Sequence, residues 1–342
     1  MTLRPAPQLN IVVPCFNEEL VLPETAARLQ VVVRALISAG EIAVSSGITF
    51  IDDGSSDDTW KLIEGLCNES GSVFRGLKLS RNHGHQNALL AGLLSARGDV
   101  IVSIDADLQD DPRAIPKMIA AYRAGAEIVF GVRRGRHKDS WLKRNSAEGY
   151  YKLLSALGVE VHQNHADYRL MSRVAIEALS KFEERNLFLR GLIPRLGFST
   201  AVVYYDRGAR FAGESKYPLR KMLALAVDGI TSLSTVPLRA ITLSGMLFSL
   251  VSMGLAVWAL WVRLSGRAVP GWASTVVPIC LIGGIQLFCT GIIGQYVAKI
   301  YIETKRRPRF IIESQIGMDS QLLRSTPETL PRATTLQTGS RD

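Results

Sequence analysis

Three times in the first 110 residues a short β-branched run stops abruptly at polar or acidic residues. Residues 9–14 run into Asn17 and Glu18, residues 48–51 into Asp52 and Asp53, and residues 100–104 into Asp105-Ala106-Asp107. Helix-length segments separate them: 17–39, 57–68 (with Asp57 as N-cap) and 87–96. A further strand is expected over 73–79, then a helix over 112–123 and a strand over 127–131. Strands that alternate with helices in this way predict an α/β fold, a mostly parallel Rossmann-like sheet with helices on both faces. The C-terminal ends of parallel strands share one edge, so the three clusters should converge in one cleft.

The third cluster carries the most specific chemistry. Asp105 and Asp107 are two residues apart, which in an extended segment puts both carboxylates on one face. Adjacent carboxylates repel, and one loses its charge unless a cation lies between them. Hard oxygen ligands of this kind suit Mg²⁺ or Mn²⁺, and Gln109 can add a carbonyl oxygen. The plainer reading is an acidic turn capping a helix near Pro112, a role open to Asp110 and Asp111.

The chain carries a net charge of +9, which favours phosphates or an anionic membrane face as partners. Much of this charge lies in residues 131–144, with Arg133, Arg134, Arg136, His137, Lys138, Lys143 and Arg144. A solvated loop and a phosphate grip beside an acidic cleft both fit that cluster. Residues 141–157 read as a helix, 166–171 and 198–205 as strands, and 207–216, with Arg210 and Lys216, as a flexible basic loop. The chain has no GxxxxGK[ST] spacing, so this loop is not a Walker A loop. Cys15, Cys67, Cys280 and Cys289 show no metal or disulfide spacing and read as reduced. The polar, Pro-containing N-terminus does not resemble a signal peptide.

Residues 240–262 and 273–298 contain no charged side chain. Each exceeds the roughly 20 residues that cross a bilayer, so two transmembrane helices are expected, with Trp258, Trp261, Trp272 and Tyr296 near their ends. Gly283, Gly284, Gly291 and Gly294 would let these helices approach closely. Residues 216–236 read as an amphipathic helix, either lying at the membrane surface or packed on the domain. Two spans put both ends of the chain on one side, and the basic cluster at 305–309 argues that this side is cytoplasmic. The expected organisation is a cytoplasmic domain over 1–215, an interfacial region over 216–238, two spans within 239–303 (about 240–262 and 274–298), and a basic, then disordered, tail over 304–342.

Taken together, Ile11-Val-Val-Pro-Cys-Phe-Asn-Glu-Glu19, Asp52-Asp-Gly-Ser-Ser-Asp57 and Asp105-Ala-Asp-Leu-Gln109 resemble a family 2 glycosyltransferase with a GT-A fold. Arg81-Asn-His-Gly-His-Gln86, Asp167-Tyr-Arg-Leu170 and Gly213-Glu-Ser-Lys-Tyr217, with the two C-terminal spans, are similar to the polyprenyl-phosphate glycosyltransferases. The resemblance covers about residues 9–302. The Gln-x-x-Arg-Trp pattern of processive synthases is missing, which argues against a polymerase.

The resemblance implies inverting transfer of a sugar from a nucleotide-diphosphate sugar to a polyprenyl phosphate such as undecaprenyl phosphate, with Mg²⁺ or Mn²⁺, at the inner (plasma) membrane. It places Pro14, Phe16, Glu18, Ile51 and Asp53 on the nucleoside, and Asp105, Ala106 and Asp107 near the diphosphate. The metal falls to Asp105, Asp107 and Gln109. Arg133, Arg210 and Lys216 match positions that contact donor or acceptor phosphates, and Lys143 or Arg144 would join Arg133 on the acceptor. Asp167 would orient or deprotonate the acceptor. Phe16 stands where the family has tyrosine, losing a hydroxyl but keeping a stacking face. Glucose is the favoured sugar; mannose, N-acetylglucosamine, galactose and aminoarabinose stay open, as does another lipid acceptor such as diacylglycerol. The non-enzymatic alternative is a membrane scaffold that retained the nucleotide-binding fold.

Overall fold

The computed structural model describes residues 3–69, 73–134, 165–185, 188–206, 236–265 and 273–318. An eight-stranded sheet in the order β7-β5-β6-β4-β1-β2-β3-β8 forms its centre. The strands are β1 Leu9–Cys15, β2 Gly47–Asp52, β3 Phe74–Leu79, β4 Val100–Ser103, β5 Ile128–Arg133, β6 His165–Ser172, β7 Thr200–Tyr205 and β8 Ile312–Ile316. β4, β1, β2 and β3 run parallel, as do β5 and β7. β6 lies antiparallel between β4 and β5, and β8 antiparallel against β3.

β1 and β2 are buried along their whole length, because helices cover both faces of the sheet and leave no solvated side. Alternate residues serve opposite faces. Ile11 and Val13 join the core beneath α1 (Leu22–Ser38), α2 (Thr59–Asn68) and α4 (Ile115–Arg123). Val12 and Ile51 join the opposite core with α3 (His85–Ser95), α5 (Arg173–Ser180) and α6 (Leu189–Leu192). Gly92 permits that second contact: a Cβ there would lie 2.4 Å from Val12 Cγ1 and 2.9 Å from Ile51 Cδ1.

Two helix starts differ from expectation. Residues 17–21 form a loop in which Asn17 takes a positive φ of 55°, and α1 begins only at Leu22, with Pro23 in its first turn. Asp57 lies one residue before the N-cap position, Asp58, yet its carboxylate caps the first helical N–H: it accepts Thr59 N at 3.1 Å, and also Glu19 N at 3.2 Å, joining two loops.

Two long helices follow, α7 (Val236–Leu264, 29 residues) and α8 (Ala273–Thr304, 32 residues). At 1.5 Å per residue they extend about 43 and 48 Å. Among the described residues one stretch, Ile282–Thr304, is long and apolar enough to cross a membrane, and none of it is buried in the protein. The glycines expected to support close helix packing meet nothing: a Cβ at Gly283, Gly284, Gly291 or Gly294 would have no neighbour within 4 Å.

The tail, expected to be basic and then disordered beyond about Ser314, is ordered through β8 at Ile312–Ile316. Phe310 is buried, and β8 joins the sheet at its edge beside β3. Glu303, at the end of α8, accepts Arg185 N with both oxygens at 2.8 and 2.9 Å. Arg309 donates to Phe182 O at 2.9 Å. The expected helix over 141–157, the interfacial region over 216–235 and the tail beyond 318 lie outside the described residues.

Candidate active site

The sheet register brings the expected clusters to one edge. Cys15 pairs with Asp52, and Ile104 N donates to Val12 O, so the segments after β1, β2 and β4 leave side by side. β6 enters at this edge, because Ser103 pairs with Arg169 and Asp167 lies two residues earlier. Arg133 and Tyr205, paired at the ends of β5 and β7, close the row.

Side-chain bonds join the first two loops. Asn17 Oδ1 accepts Ser56 N at 2.8 Å, Asn17 N donates to Ser55 Oγ at 3.0 Å, and Glu18 N donates to Thr59 Oγ1 at 2.9 Å. Phe16 stands at their mouth, 44% exposed. Asp53 is buried, and its carboxylate accepts His83 N at 2.7 Å and Gly84 N at 2.9 Å. Burial raises its pKa against those two donors. Gly54 makes this junction possible: its φ is +68°, and a Cβ there would lie 2.4 Å from the Arg81 carbonyl carbon. Pro14 sits within β1. Ile51 differs from its expected place, because its side chain is wholly buried in the core against α3 and does not line the cleft.

The Asp105–Gln109 turn is sharp, with Leu108 at φ 58°. Asp107 Oδ1 accepts Gln109 N at 3.1 Å, and Thr25 Oγ1 of α1 holds Ala106 O at 2.7 Å. Asp105 and Asp107 are half-buried and Gln109 is buried. Burial raises the Asp105 pKa to about 6; His85 opposes the rise, while Asp167, Asp110 and Asp107 add to it.

Among the described residues, no group of three or more His, Cys, Asp or Glu side chains is arranged to hold a metal ion. The expected set contains only two carboxylates and an amide. Hard oxygen donors on one turn, with burial disfavouring the negative charge of Asp105, match what a divalent cation requires.

Sequence reasoning missed the links around these residues. His85 Nε2 lies 3.6 Å from Asp105 Oδ1 and 3.4 Å from Asp167 Oδ2, joining the two expected carboxylates. Burial works against a charged His85, but Asp167 and Asp105 outweigh it and raise its pKa. His85 belongs to the Arg81–Gln86 motif, so its presence near the site was legible although its role was not. Asp167 is buried and ion-paired with Arg169, also buried, and with Arg190 at 2.9 and 3.2 Å. Burial pushes the Asp167 pKa up, but His85, Arg169 and Arg190 together hold it far below the usual carboxylate range. Arg190 follows no motif. Gln86 Oε1 accepts Leu189 N at 2.9 Å, tying α6 and Arg190 to the start of α3.

Arg133 is half-buried and pairs with Asp110, Nη2 to Oδ1 at 3.0 Å. The four expected phosphate contacts Lys143, Arg144, Arg210 and Lys216 lie outside the described residues.

The sequence model of Glycosyl transferase family 2 matches residues 10–180. An uncharacterized glycosyltransferase, YkoT of Bacillus subtilis (strain 168), is 47% identical over 95% of this chain and 98% of its own. The prophage bactoprenol glucosyl transferase homolog of Escherichia coli (strain K12) is 39% identical over 90% of this chain and 98% of its own. The bactoprenol glucosyl transferase of Shigella phage SfV is 39% identical over 90% of this chain and 99% of its own.

Proposed function

Because the chain belongs to glycosyl transferase family 2, we propose that it transfers a sugar, glucose in the favoured reading, from a nucleotide-diphosphate sugar to a membrane polyprenyl phosphate with inversion. The observation that carries this reading is the 39% identity to bactoprenol glucosyl transferases, which extends over 90% of the chain and so beyond the catalytic domain.

In this reading Phe16 offers its exposed face to the base, and the linked loops after β1 and β2, with Glu18 and Asp53, shape the nucleoside end. Asp105, Asp107 and Gln109 hold Mg²⁺ or Mn²⁺ beside the diphosphate. The cation, when bound, neutralises charge that develops on the leaving group. Arg133, with Lys143 or Arg144, grips the acceptor phosphate, while Arg210 and Lys216 reach the donor.

Asp167 acts here as an anchor rather than a base. A carboxylate whose pKa is held far below normal is a poor proton acceptor. A phosphate monoester has a second pKa of about 6 and is largely a dianion at neutral pH, so it attacks the anomeric carbon without surrendering a proton. Asp167 instead fixes His85 and Arg190 at the cleft. This argues against a hydroxyl acceptor such as diacylglycerol, which needs a base.

The long helices give the chemistry its location. Leu247, Leu250, Leu287 and Phe288 are 60–75% exposed, and a large apolar side chain left in water forgoes about 1.5–3 kcal/mol. Lipid covers such a surface, and α7 and α8 both exceed the roughly 30 Å hydrocarbon core. We read both as spans, with the catalytic domain on the cytoplasmic side.

The test is a panel of labelled nucleotide sugars given to the purified protein with undecaprenyl phosphate and Mn²⁺ or Mg²⁺. UDP-glucose should yield a lipid-linked label released by mild acid. Label in an acid-stable lipid would refute the phosphate acceptor, and preference for another donor would refute glucose alone.

A further inference from the structure

The acidic run after β4 divides into carboxylates with different tasks. Asp111 caps the short helical turn Pro112–Ala114, its Oδ1 accepting Arg113 N at 3.0 Å. Asp110 takes no part in that cap. It is 1% exposed, and its Oδ1 receives Tyr205 OH at 2.5 Å, Arg133 Nη2 at 3.0 Å and Arg133 Nε at 3.2 Å. Arg133 Nε also lies 3.2 Å from the Tyr205 hydroxyl oxygen.

We propose that Asp110 and Tyr205 form a clamp that positions the Arg133 guanidinium for the acceptor phosphate. This rests on the reading of Arg133 as an acceptor-phosphate ligand.

The clamp is built from the ends of two strands and the acidic turn after β4. Arg133 and Tyr205 are register partners at the ends of β5 and β7, and Arg134 N closes the pair on Tyr205 O at 2.8 Å. Tyr168 of β6 packs edge-on against the Tyr205 ring, with centroids 5.1 Å apart and planes at 77°. The Tyr168 hydroxyl donates to Asp111 O at 3.0 Å. The tyrosine that meets Asp110 is therefore held by its neighbours and cannot swing away without disturbing the acidic turn.

A guanidinium is a planar fork that presents its donors along two edges. The clamp occupies the Nε–Nη2 edge, and the Arg133 side chain keeps 30% exposure. A second oxyanion can then meet the Nη1 side in a fixed plane, without first ordering a long side chain, whose immobilisation costs binding free energy. The pairing is not an efficient stabiliser. Asp110 Oδ2 is buried with no hydrogen-bond partner, and burying an unsatisfied carboxylate oxygen is unfavourable. Such a group fits a positioning task better than a stabilising one.

The experiment compares wild type, Asp110→Asn, Tyr205→Phe, Arg133→Ala and Asp110→Asn/Arg133→Ala in transfer from UDP-glucose to undecaprenyl phosphate. Tyr205→Phe keeps the ring packing and removes only the hydroxyl, so it remains informative if Asp110→Asn fails to fold. Each clamp variant should raise the acceptor KM about tenfold, the scale of one charge-assisted hydrogen bond. Donor KM and the Mn²⁺ concentration at half-activity should stay within about twofold. In the Arg133→Ala background Asp110→Asn should add less than about twofold, because the residue it positions is gone.

A shifted Mn²⁺ requirement with unchanged acceptor KM would make Asp110 a metal ligand and overturn the clamp. Additive effects, a rise in donor KM alone, or clamp variants that match wild type would overturn it as well. If wild type glucosylates no prenyl phosphate, the acceptor reading fails and the clamp's assigned role fails with it. Normal wild-type transfer with silent variants removes the clamp alone.

Discussion

Replacing Asp167 by Asn separates an anchor from a base. The Asp167 and Arg169 side chains are only 3% and 2% exposed, so the substitution leaves a guanidinium buried without its counter-charge. Removing one partner of a buried pair costs about 3–5 kcal/mol. Asn keeps one acceptor oxygen, which places the loss near the lower bound, about 3 kcal/mol. Arg190 is 45% exposed and adds little. For a domain of this size about 3 kcal/mol lowers Tm by roughly 6–12 °C. Intrinsic tryptophan fluorescence of the detergent-solubilised protein reads it, and Asp167→Asn/Arg169→Met should recover most of the loss because both charges leave together.

The pH dependence has a definite sign. The folded-state pKa of Asp167 is depressed, so its contribution is complete above the unfolded value of about 3.9 and is lost as pH falls from there toward the folded value. The share of the Tm gap carried by the Asp167 charge itself should therefore persist down to about pH 4 and be lost below it, while the share that runs through His85, whose pKa Asp167 raises, is complete below about pH 6.5 and fades as pH rises. A variant that melts with wild type yet has no turnover would refute the anchor and restore the base.

Three further outcomes follow from the site. Asp107→Ala should lower transfer by about two orders of magnitude or more while the protein still fractionates with membranes; full activity of this variant in the presence of chelator would end the metal-cleft reading. Burial pushes the Asp105 pKa up to about 6, so below that pH protons compete for its oxygens, and Mn²⁺ affinity should fall about tenfold per pH unit for one displaced proton; equal affinities at pH 5 and 7.5 would take Asp105 out of the ligand set. Gly54→Ala should destabilise the domain by about 1–3 kcal/mol and raise donor KM, since the turn that binds Asp53 must move away from the new Cβ; an unchanged melting curve would show that the turn yields freely.

β1, β2 and β4 were legible because each is an apolar run with a polar stop, the pattern of a strand buried on both faces at a ligand-bearing edge. The antiparallel entry of β6 was not, since nothing in its residues states which neighbours it will find. The ion pair inside β6 left a trace, because Asp167 and Arg169 are two apart and so share a face, but burial of both depends on the helices above them. Ile51 came to the nucleoside from the family motif alone, whereas its side chain packs in the core because helices cover that face of β2. Arg190 and Tyr205 reach the site only through tertiary packing, and no local spacing marks them. The five residues of β8 alternate weakly within a polar tail, and pairing with β3 rather than their own propensity makes them a strand.

The late strand also ties the second long helix to the sheet. β7 and β8 are the opposite outer strands of the sheet. The chain departs toward the long helices from the cleft-side end of β7, and because β8 is antiparallel it comes back in beside Leu79, the cleft-side end of β3. The base of α8 is thus tied to the sheet's β3 edge through β8, the buried Phe310 and the bond from Arg185 N to Glu303, on the same rim as the candidate site. Loss of β8 should therefore loosen the foot of α8 and expose the β3 edge of the sheet together, because one short strand serves both.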